Sequence, residues 1–159
     1  MNFDPQSFLD ATVNEANSTE IINLDEGEYT AQAGEVEIVS WQSKDGSKNG
    51  LKLVVPWEVL DDAAKAKTKR NKIVVRQDVM LDLTDNGTLD MSEGKNTNLG
   101  RLRDAVGLNR KGEPFNMRML AGRTAKIRVG LREYEGRRFE EVRGVTKGGE
   151  WGNRTRGVG

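Results

Sequence analysis

The chain contains no cysteine and no histidine, and each absence removes a body of chemistry. Without thiols there are no disulfides, which fits a reducing cytoplasm. Without imidazole or thiolate there is no histidine base, no cysteine nucleophile and no ordinary structural zinc site, so only carboxylate or lysine chemistry remains. No G-x-S-x-G occurs, and Gly94-Lys95-Asn96 lacks both the upstream spacing and the hydroxyl of a phosphate-cradling loop. A non-enzymatic role with no cofactor is therefore expected. No apolar run approaches the roughly 18 residues of a membrane span and no signal-peptide pattern is present. No membrane partner is expected, and the cytoplasm is the expected location.

What is present is charge, unevenly placed. The 159 residues are 35% hydrophobic, enough for one domain with a single core. Formal net charge is zero, yet residues 1–62 hold 13 acidic and 3 basic side chains while residues 63–159 hold 12 acidic and 22 basic. Two readings fit: a basic surface meets an anionic partner, or the acidic segment packs on the basic one.

Periodicity divides the chain into an N-terminal arm (1–27), a domain (28–147) and a flexible, Gly-rich basic tail (148–159). In the arm, Phe3, Phe8, Leu9 and Val13 suit a short amphipathic helix after Pro5, expected to pack on the domain or on a neighbouring subunit. A strand follows over 28–41 with Gly34 as a bulge, which turns Val36 and Ile38 toward the core and Trp41 outward. The turn-rich SKDGSKNG carries Lys44 and Lys48, and a second strand over 51–60 alternates Leu51, Leu53, Val55 and Trp57 against Lys52, Val54, Pro56 and Glu58. Residues 61–71 read as a short cationic helix or loop. The third strand, 72–83, carries Arg76, and a helix over 98–106 is stopped by Gly107.

The stretch 124–147 completes the pattern as a hairpin. Ile127, Val129 and Leu131 alternate with Lys126, Arg128, Arg132 and Tyr134, and a turn at Glu135-Gly136 leads back through Phe139, Val142 and Val145 beside Arg137, Arg138 and Arg143. These cations can contact a ligand or pair with Glu133, Glu135, Glu140 and Glu141. Strand, strand, strand, helix, strand, strand is the order of an OB-fold: a mainly β, five-stranded barrel with one helix between strands 3 and 4. In that fold a groove crosses strands 2 and 3, bordered by the first and last hairpin loops. That location selects Trp41, Lys44, Lys48, Lys52 and Arg76 on one flank, and Arg128, Arg132, Tyr134, Arg137 and Arg138 on the other. Trp41 and Tyr134 are the candidate stacking platforms, whereas Trp57 and Phe139 suit the core.

A competing motif is DLTDNGTLDMSE, which sets Asp82, Asn86, Asp90 and Glu93 near the offsets of a calcium loop. A strand precedes it where that motif needs a helix, and Asp85-Asn86-Gly87 is equally a tight turn.

The segments FDPQSFLDATVNEANSTE, DEGEYTA, MLDL, GKNTNLGRLRDAVGLN and EGRRFEEVRGV resemble those of small phage-encoded, single-stranded-DNA-binding proteins of the OB-fold-like class. The resemblance implies a DNA-binding protein of replication or recombination, working in the host bacterial cytoplasm with single-stranded DNA, replication or recombination proteins and copies of itself as the partners to expect. It transfers no residue signature, and the acidic tail common in that class is absent, residues 148–159 holding one acid and two arginines. The expected function is sequence-tolerant binding of single-stranded DNA. The alternative is a virion structural or protein-interaction module without nucleic-acid binding.

Overall fold

A computed structural model describes residues 3–148. The described residues form six strands and three helices, the first helix within the arm: α1 (Pro5–Asp10), β1 (Gly27–Ala33), β2 (Glu37–Gln42), β3 (Asn49–Val59), α2 (Asp62–Thr68), β4 (Val74–Met80), α3 (Thr97–Ala105), a 3-10 turn (Met117–Leu120), β5 (Thr124–Tyr134) and β6 (Arg137–Thr146). The tail assigned to 148–159, with Trp151, Arg154 and Arg156, lies outside the described residues from 149 onward.

All strand pairings are antiparallel, in the order β2-β3-β1-β5-β6 with β4 on the free edge of β3. The single strand expected over 28–41 is two. β1 and β2 lie in succession along the same edge of β3, Ala31 opposite Val59 and Ile38 opposite Leu53. Gly34 sits at the break, its N–H donating to the Pro56 carbonyl at 2.8 Å. A Cβ at Gly34 would stand 3.3 Å from the Pro56 ring, so the bend depends on a small residue. The sheet has six strands rather than five, and it is open: β4 and β6 approach within 8 Å, Cα to Cα, but no ladder joins them.

Alternation explains the core. On β3, Leu53, Val55, Trp57 and Val59 are fully buried and face Val75 and Val79 of β4 and Ala125, Ile127 and Val129 of β5. The Trp57 indole N–H donates to Gln77 Oε1 at 2.8 Å, which satisfies a polar atom that burial would otherwise leave costly. α3 closes one end through Leu99, Leu102 and Ala105, and Gly107 at φ +74° ends it. Asp61 caps α2 by accepting from the Ala63 and Ala64 N–H groups.

Two side chains depart from the expected core. Ile38 occupies the face of Leu53 but is 46% exposed, because β2 runs past the margin of the core as an outer strand. Phe139 is 41% exposed. Its strand contains a bulge at Arg143, where Arg128 pairs with Gly144 and Val129 with Val142. The extra residue lets Val145 and Val142 both face the core three positions apart. Phe139, three further on with no second bulge, falls on the opposite face.

The arm forms its helix, and that helix does not pack on the domain. Asp4 caps α1 by accepting from Gln6 N–H at 3.0 Å, yet α1 buries nothing, and Phe3, Phe8, Leu9 and Val13 stay exposed. The first buried residue is Leu24, whose N–H donates to Glu140 at 2.7 Å.

Candidate functional site

The two hairpin loops among the expected residues lie at opposite ends of β3, with Lys52 and Arg76 along its length. Lys44 and Lys48 lie in the turn before β3 begins, whereas β1 and β5 extend past its end, carrying Tyr134, Arg137 and Arg138 beyond it. At about 3.3 Å per residue, the 11 residues of β3 set those two loops about 35 Å apart along the strand.

Trp41 lies on the outward face as expected, laid over Gly50, its cross-strand partner. A Cβ at Gly50 would come within 3.0–3.2 Å of the indole, so glycine makes this seat possible. The ring is half-buried and its N–H is buried without an acceptor. Beside it opens a shallow depression of about 620 Å³ reaching Leu51 and Leu83. Lys44 and Lys48 make no side-chain ion pair among the described residues, while Asp45 between them turns inward to its own loop. The Ser47 backbone N–H and hydroxyl and the Ser43 hydroxyl donate to it, holding its carboxyl at about 2.

Lys52 and Arg76 also face outward, but Asp78 takes both, Lys52 at 2.9 Å and Arg76 at 3.3 Å. Glu35 and Glu37 stand beside Val54, Pro56 and Arg76 around a neighbouring depression. The middle of the β3–β4 face is therefore electrostatically close to neutral.

The β5–β6 ribbon is different. Glu135 and Gly136 both have positive φ, which matches a two-residue hairpin turn to the strand twist. On the outward face Tyr134 pairs with Arg137, Arg132 with Phe139, Gly130 with Glu141, Arg128 with Gly144 and Lys126 with Thr146. Tyr134 is 52% exposed, and the Arg132 guanidinium lies 5.9 Å from the Phe139 ring centre while pairing with Glu141 at 3.4 Å. Arg143 crosses Gly130 and is tied to Glu141, Glu26 and the Leu131 carbonyl. Arg128 donates to the Arg143 carbonyl at 3.2 Å. No carboxylate pairs with Lys126, Arg128, Arg137 or Arg138 among the described residues. Arg138, opposite Glu133, points to the other side of the ribbon. There the arm returns: Thr19, Glu20 and Ile21 line a cleft of about 570 Å³ with Arg137, Arg138 and Phe139.

Phe139, Lys126 and Arg101 are the members that sequence reasoning left out of the site. Lys126 and Arg101 open onto one cleft of about 530 Å³ with Arg128, between α3 and the facing β4 and β6. Lys126 was visible as the next outward residue after Arg128, and Phe139 becomes visible once the bulge is placed. Nothing local marks Arg101.

Asn96 ties the 82–93 loop together. Asp82 accepts the Asn96 N–H at 2.8 Å, and the Asn96 amide donates to the Asp82 and Asp90 carbonyls, both at 2.9 Å. Asp90 accepts from the Ser92 hydroxyl at 2.6 Å and its N–H at 3.0 Å, which lowers its carboxyl below the ordinary range. Among the described residues no three carboxylates gather, so Asp82, Asp90 and Glu93, with Asn86 between them, do not form a common cage.

No helix among the described residues is long and apolar enough to cross a membrane. Neither a protein-family model nor a curated protein matches this chain.

Proposed function

We propose that the protein binds single-stranded DNA without catalysis and with little sequence preference, on an OB-fold-like barrel whose β4–β6 seam is open. The architecture supports this reading. β1 and β2 share one edge of β3 as the halves of one bent strand would, α3 falls between β4 and β5, and β4 and β6 meet at the far side. The observation that carries the function is the basic, aromatic face of β5–β6, where exposed Tyr134 and Phe139 sit among arginines. Exposed rings stack on bases, each at about 1–3 kcal/mol, and cations follow the phosphates. Of the eight cations expected in the site, Lys52, Arg76 and Arg132 are held by carboxylates, leaving Lys44, Lys48, Arg128, Arg137 and Arg138 uncommitted.

Replacing Arg137 and Arg138 together by Glu tests the reading, since both side chains are exposed and bear no part of the core. The double variant should keep its melting temperature and lose about tenfold or more in affinity for a dT oligonucleotide. Unchanged affinity in the folded variant removes the hairpin from the function.

The exposed apolar arm favours a second reading, a protein-interaction module of an assembly such as a virion. A large particle formed without nucleic acid and indifferent to DNA would support it.

A further inference from the structure

We infer that the DNA strand runs lengthwise along the outward face of β5–β6 and ends in the cleft beside α3, where Arg101 and Lys126 hold phosphate, rather than crossing the β3–β4 face. The inference rests on the single-strand-binding reading and names the route. Even-numbered positions of β5 from Lys126 to Tyr134 share one face, and the bulge at Arg143 keeps Phe139 and Arg137 on that same face of β6. Eight residue steps at about 3.3 Å give a track of about 26 Å. Tyr134 and Phe139 form its aromatic end, Arg132 and Arg128 its middle, and Lys126 its exit.

The exit leads into a cavity with the right lining. Arg101 and Asn98 of α3 and Lys126 and Arg128 of β5 line it from different elements, with Arg143 of β6, so that four cations outnumber its two carboxylates, Glu28 and Asp78. Arg101 touches only the Asn98 side-chain oxygen, at 3.3 Å, and Lys126 has no side-chain partner among the described residues. Gly144 leaves the β6 side of the track low, so that the Arg128 guanidinium lies across it, 3.4 Å from where a Cβ would be. The β3–β4 face offers the opposite: both of its cations already share Asp78, and Glu35 and Glu37 border it. A polyanion placed there would have to break existing pairs beside acids. On β5–β6, Lys126, Arg128 and Arg137 make no ion pair with a carboxylate among the described residues, and Arg132 alone of the track's cations would have to leave one, Glu141.

The decisive comparison uses two full-length variants with the same change in charge. R101Q/K126Q should lose about tenfold in affinity for a dT oligonucleotide and flatten the slope of log affinity against log salt by about 1.4. K52Q/R76Q, which frees Asp78 at the wall of the same cleft, should lose clearly less than R101Q/K126Q and change the slope less. Melting curves confirm that both variants fold. If R101Q/K126Q loses no more than K52Q/R76Q, the route is overturned although DNA binding stands. If the unmodified protein binds no single strand, the single-strand reading falls and the route with it.

Discussion

Trp57 and Phe139 show how much a single residue's outcome depends on its strand's phase. Trp57 is fully buried, with its N–H on Gln77, and Phe139 is largely open beside Arg132. Replacing Trp57 by Ala should cost about 3–5 kcal/mol of stability. The same change at Phe139 should cost far less by denaturant melting, and should instead weaken single-strand binding by about 1–3 kcal/mol. The reverse pattern would return Phe139 to the core and take it out of the site. Asp45 makes a sharper residue-level prediction. Its serine donors, the Ser47 backbone first, hold the carboxyl at about 2, below the ordinary value. The contribution of these bonds to the turn is therefore present above about pH 4 and is lost as pH falls toward 2. An NMR titration should place the Asp45 midpoint near 2, and Ser47→Ala should raise it. A midpoint near 4 in the unmodified protein would contradict the hydrogen-bonded turn.

At the scale of elements, the β5–β6 ribbon owes its shape to Gly130 and the bulge opposite. A Cβ on Gly130 would fall 2.1–2.4 Å from the Arg143 side chain, which lies across it on the way to Glu26, Glu141 and the Leu131 carbonyl. Gly130→Ala should displace Arg143 from its exposed ion pairs and cost about 1 kcal/mol by thermal or denaturant melting. A neutral result would show that Arg143 has another seat. Elements with an uninterrupted period could be read from the chain: β3 and β4 by strict alternation, α3 by Leu99 and Leu102 with Gly107 behind them, and the hairpin turn by Glu135-Gly136. Interruptions could not. The break at Gly34 was legible as a bend but not as two separate strands, because whether pairing resumes along the same edge depends on β3. The bulge at Arg143 has no local signature, and without it only the size of Phe139 speaks, which points to the core rather than to the outward face it occupies. Ile38 was placed on the correct face, but alternation does not reveal where the core stops. Arg101 joins the site only through the packing of α3 beside β6, a contact that no spacing in the chain announces.

For the whole molecule, the question posed by the segregated charge is what the acids of residues 1–62 do. Among the described residues, two of them reach cations of the later segment closely: Asp25 to Lys67 and Glu26 to Arg143. The acidic half therefore does not neutralise the basic face by direct pairing, which favours an outside anion. The arm is the exception to consider. It carries Asp4, Asp10, Glu15 and Glu20 without a single cation, and Glu20 lines the cleft that Arg137 and Arg138 share. Removing residues 1–22, which leaves the Leu24 anchor in place, should raise affinity for single strands severalfold at low salt and little at high salt. Lower affinity in that variant would make the arm part of the binding surface instead of a competitor for it.

The central claim is a phosphate-following, base-stacking surface, and the most direct measurement is titration of the tryptophan fluorescence with a dT oligonucleotide at about 50 and about 200 mM salt, with duplex DNA as the control. Roughly five neutralised phosphates predict saturable binding with a slope of log affinity against log salt of about −3.5, and duplex should bind more weakly. No binding, a salt-insensitive interaction or an equal preference for duplex would contradict the account.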